Sequence, residues 1–192
     1  MPRLGVEPIR RDALVKATIA EIARAGSLDV TVAQIARRAG MSPALAHHYF
    51  GAKEALFLAA MRHVLSLYGA EVRGALVAAE GPRGRLAAVV RASFGPASFR
   101  REAVGAWLNF WVLAQTVPEA RRLLNVYQRR LRSNLRAALR PLAAEPETVA
   151  DVVGALIDGA YLRAALAGGV PDAAAAAAAV ERYLLAELGE RW

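Results

Sequence analysis

The sequence predicts an all-α protein, and three observations lead to this fold class. Of the 192 residues, 56% are apolar, and alanine and leucine dominate while threonine, isoleucine and tyrosine are sparse, which favours helices over sheet. Apolar residues recur at helical spacing in the segments described next. Glycine and proline divide the chain into about nine such segments. The length suits one domain, or a small domain joined to a larger one.

The first two helices are predicted from an apolar face and from end signals. Helix 1 runs from near Ile9 to Ala25, and Gly26 follows as a stop signal. Its inner face is predicted to comprise Leu14, Ala17, Thr18, Ile22 and Ala25. Thr31 and Gln34 form a capping box at the start of helix 2, whose apolar stripe ends at Gly40.

A third short helix follows directly. Ser42 is its predicted N-cap and Pro43 its first residue, where the missing N–H of proline costs nothing, and the helix extends to Tyr49. Helical spacing places Met41, Ala46 and Phe50 against helices 1 and 2. Two helices of about two turns separated by a glycine-containing turn form a helix-turn-helix motif.

The remaining segments form longer helices. One begins near Lys53 and ends near Glu80, because Gly81-Pro82 cannot continue it. Later boundaries are expected at Gly95-Pro96, Pro118, Pro141 to Pro146, and Gly168 to Pro171. We therefore expect a helix-turn-helix domain at residues 1–52 and a helical ligand-binding and dimerisation domain at residues 53–192.

Composition limits the classes of function. The formal net charge is +8, which makes a polyanion such as nucleic acid a natural partner, although solvated helix faces are the simpler explanation for many arginines. There is no cysteine, which excludes disulfides, thiolate metal sites and thiol catalysis. No secretory signal and no run of ~18 apolar residues is present, so a cytoplasmic protein without membrane contact is expected.

The third helix has the features of a DNA-reading element. Its small first-turn side chains are expected to face outward, where they can enter a major groove, while His47 can hydrogen-bond a base edge. Residues beside this turn, and the N–H groups at helix starts, can bind phosphates. The candidate DNA-binding residues are Arg10, Arg11, Thr31, Ser42, Pro43, Ala44, Leu45, His47, His48, Tyr49 and Lys53.

Metal binding and catalysis are weaker explanations for the same residues. The adjacent side chains of His47 and His48 point about 100° apart on a helix, whereas zinc favours a histidine pair on one face. A catalytic histidine needs an orienting carboxylate, and none lies nearby in sequence before Glu54. We therefore predict neither a metal site nor a catalytic residue, and ordinary surface residues remain the alternative to DNA contact.

The segment from Arg11 to Leu56, including TVAQIARRAGMSPALAHHYFGAKEAL, resembles the TetR family of bacterial transcriptional repressors. This resemblance implies a small DNA-binding head and a larger helical body that binds a ligand and dimerises. The blocks AWLNFW at 106–111 and ALIDGAYLRAALAG at 155–168 resemble the choline-responsive branch of the family. That branch implies control of glycine betaine synthesis from choline.

The body contains aromatic residues around one acidic group. The candidate ligand-binding residues are Trp107, Phe110, Trp111, Tyr127, Asp158 and Tyr161. Aromatic rings closed by one carboxylate suit a quaternary ammonium such as choline, which relies on cation–π attraction of about 0.5–2 kcal/mol. Two alternatives stay open: the aromatic residues can be simple core, and Asp158 can form an ion pair with Arg163 or Arg129.

The last two helices are the candidate dimer surface. Small residues at Gly154, Ala155, Gly159, Ala160 and in the tract 173–179 allow close helix approach, with an apolar seam of Val180, Tyr183, Leu184 and Leu188. A homodimer would read a palindromic double-stranded operator. The predicted function is thus a ligand-controlled repressor. The alternatives are a repressor that responds to another lipophilic or cationic effector, and a helical carrier or enzyme without an operator.

Overall fold

The computed structural model describes residues 5–189 and Trp192. Within this part of the chain there are nine helices and no strand, which confirms the all-α prediction. The helices are α1 (Val6–Ala25), α2 (Val32–Arg38), α3 (Pro43–Phe50), α4 (Lys53–Val77), α5 (Gly81–Ser93), α6 (Arg101–Thr116), α7 (Pro118–Leu139), α8 (Pro146–Ala167) and α9 (Ala173–Leu188).

The predicted helix signals act as expected. The Thr31 hydroxyl accepts a hydrogen bond from the N–H of Gln34 at 3.1 Å, and the Gln34 side chain accepts one from the N–H of Thr31 at 2.7 Å. The Ser42 hydroxyl caps α3 by accepting from the N–H of Leu45 at 3.2 Å. Gly26 ends α1 at a φ of 65°, a left-handed conformation that favours glycine. These signals set the end of α1 and the starts of α2 and α3.

Two predicted boundaries and one predicted core residue differ from the structure. The first helix begins at Val6 rather than Ile9, since Pro8 is tolerated in a first turn, and α4 ends at Val77 rather than near Glu80. Ala25 is exposed rather than internal, because it is the last residue of α1. Helical spacing within α1 does not show how far along this helix the neighbouring helices extend.

The three N-terminal helices pack together and onto the body. Within this head, α1 contacts α2, α2 contacts α3, and the buried residues include Leu14, Ile35 and Ala46. Helix α1 also packs on α4 and on α6 of the body, so it connects both helices with the head.

Helix α4 is the central connection between the head and the body. It contacts α1 and α3 on one side and α5, α6 and α7 on the other. Among the described residues it is the one helix long and apolar enough to cross a membrane, with a mean hydropathy of 1.2 in its apolar window. Because it packs against so many neighbours, its apolar residues, Leu56, Met61 and Val72 among them, belong to the protein core.

The candidate dimer surface differs in detail from the predicted one. Val180, Leu184 and Leu188 are buried against their own chain, so they cannot supply an intermolecular seam. Apolar side chains are instead exposed along the outer faces of α8 and α9, namely Val152, Leu156, Leu162, Leu166 and Leu185. Exposed apolar side chains therefore lie on the predicted pair of helices but on a different face of α9, because an alanine-rich helix has weak amphipathic contrast.

A buried carboxylate fastens α1 to α2. Glu21 is 5% exposed and accepts hydrogen bonds from Arg24 at 2.7 Å and from Arg38 of α2. The hydrogen bonds from Arg24 and then Arg38 lower the pKa of the Glu21 carboxyl below its ordinary value of 4.5. The ionised form therefore stabilises the head at neutral pH.

We expect Glu21→Gln to lower the free energy of unfolding by about 1–2 kcal/mol at neutral pH, as measured by urea denaturation. Because the pKa of Glu21 is lowered in the folded state, its contribution to stability is present above the ordinary value of 4.5 and is lost on acidification. The difference in unfolding free energy between the variant and the wild type should therefore become smaller below that pH. The control is Glu181→Gln, which removes an exposed pair with Arg91 at 3.4 Å and should change stability by less than about 0.5 kcal/mol. Equal effects of the two substitutions would contradict the role assigned to Glu21.

Candidate DNA-binding surface and effector cavity

The outer face of α3 is open to solvent. Pro43, Ala44 and His47 are exposed, and His48 is exposed beside them. Leu45 is half-buried, so its side chain is only partly available to a partner. The inner face is closed by Ala46, which is fully buried. The capped first turn therefore presents small side chains outward, as the sequence predicts.

Aromatic and basic side chains surround this turn. The Arg11 guanidinium lies 5.6 Å from the ring centre of Tyr49 and 5.2 Å from that of Phe50. Arg10 donates a long hydrogen bond of 3.5 Å to the Tyr49 hydroxyl. The Lys53 ammonium lies 5.3 Å from the ring centre of Phe57, at the first residue of α4. These contacts hold three cations beside α3.

The hydroxyl groups at the helix starts are already engaged. The Thr31 hydroxyl donates to the Gln34 side-chain oxygen at 3.0 Å while it accepts from the Gln34 N–H. The Ser42 hydroxyl accepts from the N–H of Leu45 and keeps its proton for another acceptor. A phosphate that accepts from the Thr31 hydroxyl would therefore have to displace the Gln34 side chain. A phosphate that accepts from the Ser42 hydroxyl would displace no existing hydrogen bond.

The tautomer of His47 follows from its hydrogen bond. Its Nδ1 lies 2.9 Å from the carbonyl oxygen of Gly51. Because a carbonyl oxygen can only accept, Nδ1 carries the proton, and Nε2 of the neutral ring is an acceptor. The hydrogen bond also fixes the orientation of the ring on the exposed face of α3.

Four aromatic rings meet inside the body. The Trp107 ring centre lies 5.0 Å from that of Tyr127 and 6.4 Å from that of Tyr161, and Tyr68 lies 5.3 Å from Tyr127. We name these four residues the aromatic cluster. They come from α4, α6, α7 and α8, and with Val64 and Ser98 they line a cavity of about 10 Å³. This space is about the size of one water molecule.

One carboxylate is hydrogen-bonded to the cluster. The Tyr127 hydroxyl donates to Asp158 Oδ1 at 3.0 Å. Burial raises the pKa of the Asp158 carboxyl from 3.8 to about 6, and the hydrogen bond from Tyr127 opposes this rise. Within the described residues Asp158 forms no ion pair, so neither Arg163 nor Arg129 is its partner. The carboxylate is thus left with negative charge that no cation of the described chain balances.

The hydroxyl groups of the cluster remain protonated at physiological pH. Burial raises the pKa of Tyr68 to about 12 and the pKa values of Tyr127 and Tyr161 well above 10. The Tyr161 hydroxyl donates to the carbonyl oxygen of Ser93 at 2.7 Å, which holds the ring in place. The cluster is therefore neutral apart from Asp158.

The indole N–H of Trp107 has no hydrogen-bond partner. Trp107 is 3% exposed, and its Nε1 is the one buried side-chain polar atom without a partner in the described structure. A buried donor left unpaired costs free energy that an acceptor on a ligand can recover. The cavity is thus lined mainly by aromatic rings, one of which is hydrogen-bonded to the Asp158 carboxylate and another of which carries an unpaired N–H donor.

Two predicted ligand-binding residues lie apart from the cavity. Phe110 is fully buried and makes no ring contact with the cluster, so it serves the core. Trp111 is half-buried and touches the cluster only through Trp107, with ring centres 6.1 Å apart. The structure brings together Trp107, Tyr127, Asp158 and Tyr161.

Sequence reasoning missed several residues around the cavity. Tyr68 lines it from α4, and its four-residue spacing from Val64 was an available signal. Phe94 directly precedes the Gly95-Pro96 boundary, and Ser98 and Phe99 follow it. The ring centres of Phe94 and Phe99 lie 6.3 and 4.9 Å from that of Tyr161. Glu71 accepts from the N–H of Ala97 at 3.0 Å and from the Ser98 hydroxyl, which fixes this segment.

Two family models match the chain. Residues 14–60 match bacterial regulatory proteins of the tetR family, and residues 82–189 match the C-terminal domain of BetI-type transcriptional repressors. The HTH-type transcriptional regulator BetI of Brucella suis is 50% identical over 98% of this chain and 96% of its own length. The BetI regulator of Agrobacterium fabrum is 47% identical over 95% of this chain and 90% of its own.

Solved structures share the fold. A transcriptional regulator of Pseudomonas aeruginosa PAO1 has a TM-score of 0.80 at 28% identity, covering 98% of this chain and 95% of its own. A regulator of Saccharomonospora viridis, solved in complex with choline, has a TM-score of 0.76 at 21% identity, covering 91% and 94%. The second likeness is one of fold alone.

The helix-turn-helix head and the helical body define a DNA-binding transcriptional regulator rather than an enzyme. One family model matches the head, and a second matches residues 82–189, which is more than half of the chain. Relatives about 50% identical span nearly the full length of the chain. The chain belongs to the TetR family and, within it, to the BetI-type transcriptional repressors.

Proposed function

We propose that the protein represses transcription as a homodimer and releases its operator when choline binds in the aromatic cavity. Residues 1–52 bind the operator, and residues 53–192 bind the effector and dimerise. The genes controlled are those that convert choline to glycine betaine, and the protein acts in the cytoplasm. The observation that carries this proposal is the closed aromatic cluster beside the unpaired Asp158 carboxylate.

The chemistry of the cavity matches that of choline. A quaternary ammonium has no N–H donor, so aromatic faces and a carboxylate are the groups that attract it. Asp158 supplies the negative charge, and the rings of Trp107, Tyr127 and Tyr161 surround the space. The unpaired Trp107 N–H can donate to the choline hydroxyl, which tetramethylammonium lacks. The choline complex of the Saccharomonospora viridis regulator supports this assignment.

The size of the cavity links effector binding to the head. Choline is several times larger than a water molecule, so the rings must separate to admit it. Separation moves Tyr68 away from Tyr127 and therefore moves α4 relative to α7. Helix α4 begins at Lys53, directly after α3, so the same movement repositions the reading helix. Choline then favours the conformation with the displaced head, as a repressor inducer must.

The exposed face of α3 is the operator-reading surface. Pro43 and Ala44 can contact thymine methyl groups, and Nε2 of His47 can accept from an amino group of adenine or cytosine. The phosphate-binding set comprises Arg10, Arg11, Thr31, Ser42, His48, Tyr49 and Lys53, with the half-buried Leu45 at the edge of the contact. Tyr49, with Arg11 on its ring and Arg10 at its hydroxyl, forms the part of this phosphate-facing surface beside α3.

The dimer is assigned to the exposed apolar faces of α8 and α9. Leu166 is 69% exposed and Leu185 is 57% exposed, and the small residues of both helices allow close approach. Pairing of these faces gives two heads related by a twofold axis, which suits a palindromic operator. A monomer in sedimentation experiments at micromolar concentration would contradict this assignment.

A gel-shift titration tests the proposed function directly. DNA from the region upstream of the chain's own gene serves as the probe, with choline, tetramethylammonium and glycine betaine as additions. We expect choline to release the DNA and tetramethylammonium to be about tenfold weaker, because it leaves the Trp107 N–H unpaired. DNA that stays bound at saturating choline would refute choline control.

The affinity for choline should depend on pH. Because the pKa of Asp158 is about 6, the carboxylate is ionised at about pH 7.5 and mostly protonated at about pH 5. We expect the Kd for choline, measured by calorimetry, to rise about tenfold over this interval, because only the ionised form attracts the ammonium. The Asp158→Asn variant is the control, and its residual affinity should be independent of pH. A wild-type Kd that is also constant would contradict the role of Asp158.

A bulkier lipophilic cation is the second candidate effector. The aromatic rings and the Asp158 carboxylate would attract such a cation as they attract choline. Quenching of the intrinsic tryptophan fluorescence by bulky hydrophobic cations but not by choline would favour this second candidate.

A further inference from the structure

A second cavity of about 400 Å³ opens between α4 and α7. Its inner part is apolar, with Val72 buried and Leu65, Leu76 and Val126 partly buried. Its outer part is polar, with Arg73 of α4, and Arg130 and Ser133 of α7, all exposed. We name this space the α4–α7 cleft. Its volume lies within the range of small-molecule sites, about 300–1,000 Å³.

The two arginines of the cleft have no acidic partner. Arg73 and Arg130 form no ion pair or hydrogen bond with any described residue, and no acidic residue lines the cleft. On the opposite side of α7, by contrast, Arg132 pairs with Asp151 at 2.6 Å and Arg136 pairs with Glu147 at 3.6 Å. On helix α7, therefore, the arginines that face α8 are paired with carboxylates, whereas the arginine that faces α4 is not.

The side chain of Arg73 lies beside Gly69, one turn earlier on α4: a Cβ atom added at Gly69 would lie 3.2 Å from Nη1 of Arg73. Arg73 lines the cleft from α4, and Arg130 lines it from α7. Two guanidinium groups in one cleft give it a positive charge that attracts an anion.

We propose that the α4–α7 cleft binds a small amphipathic anion, a carboxylate with an apolar chain. The carboxylate accepts hydrogen bonds from Arg73 and Arg130, with Ser133 and Asn134 as further polar partners. The apolar chain lies on Val72 and the neighbouring apolar side chains. This ligand is distinct from the cation of the aromatic cavity, because the two sites have opposite charge.

Octanoate, used as a monomer below its micelle concentration, is the probe. Calorimetry with the full-length dimer should show saturable binding, and the neutral octanamide should bind at least about tenfold more weakly. The double substitution Arg73→Gln with Arg130→Gln should weaken octanoate binding at least about 30-fold. Arg122→Gln is the matched control, because it removes an exposed arginine of α7 outside the cleft and should leave the affinity unchanged.

The outcomes separate this site from the choline site. Choline binding and operator binding should be unchanged in the Arg73→Gln/Arg130→Gln variant. The proposal is overturned if octanoate does not bind, if octanamide binds equally well, or if the double variant and Arg122→Gln behave alike. Binding to phosphatidylglycerol vesicles without binding of free octanoate would also overturn it, since it would assign the anion to a lipid surface. If the wild-type protein does not respond to choline but does bind octanoate, the proposed function is refuted and this site is not.

Discussion

Replacing Asp158 with asparagine is expected to give a repressor that binds its operator but no longer responds to choline. The substitution keeps an oxygen acceptor for the Tyr127 hydroxyl, now 3.0 Å from Asp158, and removes the negative charge that is hydrogen-bonded to the aromatic cluster. Loss of a buried charge partner costs about 2–5 kcal/mol, so the Kd for choline should rise by about 30-fold or more in calorimetry. Operator affinity without choline should be unchanged in gel shifts.

The same substitution should stabilise the protein without ligand. The folded-state pKa of Asp158 is about 6, above its ordinary value of 3.8, so the cost of burying this carboxyl grows as the pH rises from 3.8 to about 6 and is fully present above that. Asparagine removes this cost, and the free energy of unfolding at about pH 7.5 should increase by about 1–3 kcal/mol.

Asp151→Asn is the matched control for both measurements. It is the same change on the same helix, at an exposed carboxylate that pairs with Arg132 on the surface. Its effect on the choline affinity should be less than about twofold, since an exposed pair contributes little. Equal loss of choline binding in the two variants would show that Asp158 has no specific role.

Placing a carboxylate on the reading face of α3 is expected to abolish operator binding. Ala44 is exposed in the first turn of this helix, so Ala44→Glu introduces a negative charge and a larger side chain toward the DNA. Juxtaposed like charges cost several kcal/mol, and the operator Kd should rise by about 100-fold or more in gel shifts. The fold should be retained, because glutamate in a first helical turn interacts favourably with the helix dipole.

The control for this variant is Ala70→Glu. Ala70 is exposed on α4 in the body, so the substitution changes the net charge equally without touching the reading face. Choline binding should be normal in both variants, because the aromatic cavity is untouched. Operator binding by Ala44→Glu at wild-type affinity would mean that α3 is not the reading helix.

The head could be predicted from the sequence almost completely. The capping box at Thr31 and Gln34, the Ser42 cap and the Gly26 stop are all formed within four residues of the chain, so local spacing was sufficient to place them. The exposure of Pro43 and Ala44 followed from the same local pattern. Local rules are dependable when a helix is short and both of its ends carry signals.

The cavity could be predicted only in part. The sequence identified three of its lining residues, Trp107, Tyr127 and Tyr161, and the Asp158 carboxylate bonded to Tyr127. It also included Phe110 and omitted Tyr68. Spacing puts Trp107 and Phe110 on the same side of α6, and it does not say which neighbouring helix each one meets. The hydrogen-bond partner of Asp158 could not be predicted either, because the tyrosine that donates to it is 31 positions away in the sequence.

By itself the sequence determined the helices, the reading element and, through its resemblance, the family of the protein, because these depend on local hydrogen bonding and on motifs contiguous in the chain. Tertiary structure alone decided which rings enclose the cavity, that tyrosine rather than arginine meets Asp158, and which face of α9 is left exposed. The physical reason is that these contacts depend on how each helix is rotated against its neighbours. That rotation is set by the packing of side chains from distant helices and not by any one segment.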